Sequence, residues 1–206
     1  MANADIPSGL VPVKHKSGAP YNGAASAYYV PSTYATALFI GDAVTITGTA
    51  NTTQVNAAGA GSFAIGTLPE VNLTAAGDGN AITGVIVGFA PDPNGLERIY
   101  NPVSTERVIL VCDDPDMMFE IQADGAIAAT QVGLNAVLIY TNAGSTVTGQ
   151  SGAELDTTSD APAADASNQL TIQRVVNREG NEAASAYTKV EVLINNHTRA
   201  YGAIGI

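Results

Sequence analysis

Five carboxylates, Asp113, Asp114, Asp116, Glu120 and Asp124, crowd into the run DDPDMMFEIQAD, the densest group of chemically capable side chains in the chain. Hard oxygen ligands on a turn are what a calcium ion takes, which makes Asp113, Asp114 and Asp116 the candidates for a metal site. The run has neither the ligand spacing nor the central glycine of an EF-hand loop, and a solvated acidic turn is the plainer reading. A carboxylate pair for glycoside hydrolysis is disfavoured. A polysaccharide cleft is normally lined with aromatic rings, and aromatics are 6% of this chain.

Nucleophilic chemistry has less to draw on. The histidines are His15 and His197, and no serine lies in the G-x-S-x-G frame that presents a nucleophile on a sharp turn. P-loop, dinucleotide-binding, HExxH and CxxC patterns are missing, so the sequence offers no phosphate cradle and no zinc site. Cys112, the single cysteine, ends an apolar run and reads as a small buried hydrophobe. The expectation is a protein that is not an enzyme and carries no cofactor.

The carboxylates must be positioned by the elements around them. Val108 to Val111 is a β-branched and aliphatic run, Asp113-Asp114-Pro115-Asp116 breaks it, and Phe119 and Ile121 then alternate with Glu120 and Gln122. That is strand, turn, strand, and the expectation is a framework hairpin. Short strands are expected near 37–47, 63–73, 81–89, 107–112, 117–122, 136–140, 169–176 and 187–195, with Gly84 and Gly88 marking a bulge or a tight barrel bend. Residues 126–131 allow one helical turn, and residues 142–166 read as a long polar loop. No helical period is sustained. The fold class expected is all-β, a β-barrel or β-sandwich core with long loops, in a β domain over 36–206 that leaves room for a division near 95.

Residues 1–35 carry Pro7, Pro12, Pro20 and Pro31 among small residues, with Tyr21, Tyr28, Tyr29 and Tyr34 interspersed. Proline at this density excludes a helix, so an extended N-terminal arm with tyrosine anchors is expected, either strapped to its own domain or bridging to a neighbour. The apolar end, with Tyr201, Ile204 and Ile206, completes the set of interface candidates.

The chain has 206 residues and a net charge of −11, with Lys and Arg totalling eight. Such a surface repels phosphate, and Lys14-His15-Lys16 is too short to serve as a nucleic-acid patch. No apolar run approaches a membrane span and no cleaved signal is recognisable, so no nucleic-acid or membrane partner is expected. An acidic β chain with arm, tail and no active-site inventory reads as a part for assembly.

The segments VILVCDDPDMMFEIQADG, VGLNAVLIYTNAGSTVTGQSGAELD and LTIQRVVNREGNEAASAYTKVEVLINNH resemble a family of tailed-bacteriophage virion proteins, the capsid decoration or cement proteins, over roughly residues 37–200. The resemblance implies a protein on the capsid exterior, assembled in the host cytoplasm. It implies the major capsid protein as partner and self-association as a homotrimer, and it carries no catalytic residues. Negative charge and the lack of cysteine pairs agree with it. The alternative is a head-fibre or tail-associated attachment protein that binds a host surface.

Overall fold

Alternating apolar residues that start facing one core and end facing another shape this molecule, because most of its strands belong to one of two sheets. The computed structural model describes residues 3–57, 59, 61–92, 95 and 97–200. Its strands are β1 (Val11–His15), β2 (Ser26–Val30), β3 (Ala43–Ala50), β4 (Val55–Ala57), β5 (Gly61–Phe63), β6 (Pro69–Leu73) and β7 (Gly84–Phe89). They continue as β8 (Arg107–Cys112), β9 (Met117–Gln122), β10 (Asn135–Ala136), β11 (Leu138–Ile139), β12 (Glu154–Leu155), β13 (Leu170–Val175) and β14 (Lys189–Ile194). The all-β expectation holds: among the described residues the only helical segment is a 3-10 turn at Ala129–Gln131, inside the stretch where one turn was expected.

Strands β2, β6, β3, β7 and β8 close into a barrel, and β1, β9, β14, β13 and β10 form a five-stranded sheet. Tyr28, Val30, Val44, Val71, Ile86, Ile109 and Val111 fill the barrel. A second core lies between barrel and sheet, where Ala43, Ile82, Val85 and Cys112 meet Phe119, Ile121, Val190 and Val192. The hairpin of β4 and β5 covers the outer barrel wall over Tyr29 and Val108.

The expected glycine bend is present. Register shifts between Ile86 and Gly88, and β7 approaches β8 so closely at Gly84 that a Cβ there would lie 2.4 Å from the Cys112 carbonyl oxygen.

Two expectations change in detail. The segment 107–122 is strand, turn, strand but not a hairpin: β8 pairs with β2 and β7 in the barrel, while β9 pairs with β1 and β14 in the sheet. Asp113 to Asp116 is therefore a crossover between the two sheets. The N-terminal region also holds strands in place of a continuous arm. β1 lies on the sheet edge and β2 inside the barrel, because Tyr28 and Val30 alternate inward and gain a core. Its prolines fit that placement. Pro7, Pro20 and Pro31 lie outside the strands, and Pro12 sits in the edge strand, next to a register shift. β7 and β8, which flank residue 95, are neighbours in the barrel.

Candidate functional site

The crossover at Asp113 is one of several places where the chain passes between barrel and sheet, and side chains of three chain segments meet there. Ser26 and Tyr28 on β2 donate hydroxyl protons to the Asp113 carboxylate at 3.0 and 2.8 Å. The Arg199 guanidinium also bonds this carboxylate, and its Cζ lies 5.4 Å from the centre of the Tyr28 ring. Burial, followed by the hydrogen bond to Asp113, pushes the Tyr28 phenol well above its ordinary value. His197, 4% exposed, accepts the Arg199 backbone N–H on Nδ1 at 3.0 Å, so its proton sits on Nε2, a buried atom without a partner. Burial holds this imidazole below its ordinary value, against the pull of Asp113.

The other candidate carboxylates turn away from Asp113. Asp114 faces His15 at 3.1 Å and accepts the Asp116 backbone N–H at 2.8 Å, and the Asp116 carbonyl accepts the Lys16 N–H at 2.7 Å. Among the described residues, no three His, Cys, Asp or Glu side chains converge in a way that could hold a metal ion. The cluster also lacks the order of a nucleophilic site: Ser26 gives its proton to a carboxylate already engaged by Tyr28 and Arg199. Cys112 is 1% exposed, and burial pushes its thiol up to about 11, away from reactivity. The chemistry this arrangement performs is structural, tying β2 and the segment after β14 to the crossover.

That reading predicts coupling. Tyr28→Phe should lower stability by about 1 kcal/mol, and a double-mutant cycle with Arg199→Ala should give an interaction above about 0.5 kcal/mol. Urea midpoints supply the numbers, and strict additivity would separate the two contacts.

The interface candidates fall in different surroundings. Tyr28 lies inside the barrel. Tyr29 is beneath the β4–β5 hairpin, its phenol pushed up to about 12 by burial and by Glu106. Tyr34 packs on the barrel core and accepts the Leu73 N–H at 2.9 Å. Tyr21 lines an open surface. Tyr201, Ile204 and Ile206 lie outside the described residues.

That surface is a groove of about 460 Å3 between the sheet edge and the barrel wall. Leu10, Val11, Pro12 and Tyr21 form one side, Val87 and Leu110 the other. Val11 is 41% and Leu110 37% exposed, and Val13 on the same strand as Val11 is 36% exposed. The sequence signal for this groove was weak, since its walls come from strands far apart in the chain.

The charge of the whole chain is one-sided, at −11. Of the eight Lys and Arg residues, Lys14 and Arg174 pair with Glu191, Arg98 with Asp92, Arg178 with Glu120, and Arg199 with Asp113, while Arg107 is buried on backbone carbonyls. Six of the eight are thus held by groups of their own chain. Comparison with protein-family models, curated proteins and solved structures finds no match to this chain.

Proposed function

We propose that this chain is a non-enzymatic capsid decoration protein of a tailed phage, binding the outer face of a shell built by the major capsid protein and reinforcing it through intersubunit contacts. The observation that carries the reading is the open apolar groove beside Tyr21, lined by exposed Val11 and Leu110 on an otherwise acidic molecule. Apolar contact surrounded by charge is the anatomy of a protein interface. The segment resemblance supplies the class of partner, and homotrimeric self-association belongs to the same proposal.

Charge refines the partner. With a net charge of −11 and most cations held internally, this chain fits a surface that presents an apolar anchor among lysines and arginines. Binding should weaken as salt is raised.

The test is co-sedimentation of purified protein with shells that lack it. Binding that raises the temperature at which the shells break supports the proposal, and no binding, or bound protein with no gain in heat resistance, overturns it. Leu110→Asp should reduce shell affinity by roughly thirtyfold, the effect of losing a central interface anchor. Since Leu110 is already 37% exposed, its thermal midpoint should move little. Binding to host cells with none to shells would transfer the protein to the attachment class.

A further inference from the structure

The loop 38–42 carries more tertiary hydrogen bonds than its length suggests. The Gly41 carbonyl accepts the Leu10 N–H and the Gly41 N–H donates to the Ile86 carbonyl, both at 2.9 Å. Ile40 donates to the Gly149 carbonyl at 2.9 Å and accepts from the Ser151 N–H at 2.8 Å. Three separate segments, the N-terminal residues, β7 and the 142–152 excursion, are therefore joined through two residues. Ser8, Leu10, Ile40, Gly41, Ile86 and Gln150 from this junction also line the groove.

Asp42 holds the junction from inside. It is 1% exposed, and its Oδ2 accepts the Phe39 N–H at 2.8 Å, closing the loop on itself. The Ser151 hydroxyl also bonds the carboxyl group, which ties the loop to the excursion. Among the described residues, the buried Oδ1 has no hydrogen-bond partner. The titratable groups facing this site are the phenols of Tyr140 and, behind it, Tyr34. Among the described residues, no ion pair reaches Asp42.

We propose that Asp42 is a proton-operated latch: neutral, it lets the N-terminal segment, the 38–42 loop and the 142–152 excursion pack as one floor for the groove, and ionised, it loosens that floor. An ionised carboxylate with one unpartnered oxygen is poorly tolerated in a dry site, so the junction opens to admit water. Burial pushes the Asp42 carboxyl up to about 7 from its ordinary 3.8. A raised acid stabilises the closed form fully below the lower value, and that stabilisation fades as pH rises through the upper one. The latch is a property of this chain and stands whether or not the groove receives a shell subunit.

Two measurements on the full chain test it. Carbon-13 carboxyl shifts should place the Asp42 midpoint well above those of the exposed aspartates, and a midpoint near 4 overturns the proposal. Amide exchange, corrected for the intrinsic rate, should show opening of residues 38–42 and 149–151 increasing by roughly a hundredfold from pH 5 to pH 8, with β9 and β14 changing far less. In Asp42→Asn, which keeps an acceptor for Phe39, that increase should vanish. Equal pH dependence in both proteins, or uniform loosening of the whole fold, overturns the latch.

Discussion

Gly41→Ala should destabilise the protein by about 3 kcal/mol or more, combining left-handed backbone strain with overpacking. Gly41 has φ +96°, a region that side chains resist, and a Cβ placed there would lie 2.4 Å from the Ser8 carbonyl oxygen. The neighbour is backbone and cannot rotate away. Gly9 faces it with the same problem, at φ +66° and 2.4 Å from the Gly41 carbonyl oxygen, so relief on one side is blocked by the other. Gly18→Ala is the control. Its φ of +94° imposes similar strain, yet nothing lies within 4 Å, and its loss should stay near about 1 kcal/mol. Urea unfolding compares the pair directly, and equal midpoints would mean that close approach at the junction contributes nothing beyond local strain.

Arg107→Met should cost about 3–5 kcal/mol, since three carbonyl acceptors lose their donor and each one left unsatisfied and buried costs about 1–3 kcal/mol. Arg107 is 6% exposed and donates from Nε to the Ala90 carbonyl at 2.8 Å, from Nη1 to Tyr100 at 2.7 Å and from Nη2 to Arg98 at 3.1 Å. Its Cζ also lies 5.0 Å from the centre of the Phe89 ring. One guanidinium thus gathers the connection between β7 and β8 onto the barrel, and methionine would leave three carbonyls without their donor. Arg107→Lys keeps the charge but not the planar fork, and should recover less than half of the loss. Thermal unfolding gives the ranking. A lysine variant as stable as wild type would show that charge alone, not fork geometry, holds the loop.

Much of the β architecture was legible in residues that are neighbours in sequence. Strands at 107–112 and 117–122 coincide with β8 and β9, and the Gly84/Gly88 signal coincides with the bent β7. The sequence predicts a strand near 37–47, whereas Leu38 to Asp42 is the junction loop and β3 starts at Ala43. Its apolar residues were visible, but a buried loop with tertiary hydrogen bonds has the same pattern as a buried strand. Likewise 136–140 is divided, with β10 joining the sheet and β11 pairing with β12. The role of Arg199 is not visible in the sequence because it depends on reaching Asp113 from the segment after β14, across 86 positions.

Within the sequence itself, period-two alternation determined the β class and the residue inventory set a net acidic charge. Each of these depends on residue identity and close spacing. Only the tertiary structure decided that Asp113 to Asp116 joins two sheets, that Tyr28 enters the barrel while Tyr21 lines the groove, and that Asp42 is sealed from water. The physical reason is that alternation assigns side chains to faces, whereas strand edges carry the same N–H and C=O groups whatever the sequence. Which edges meet is settled by the packing of distant faces, and burial at a junction exists only after they have met.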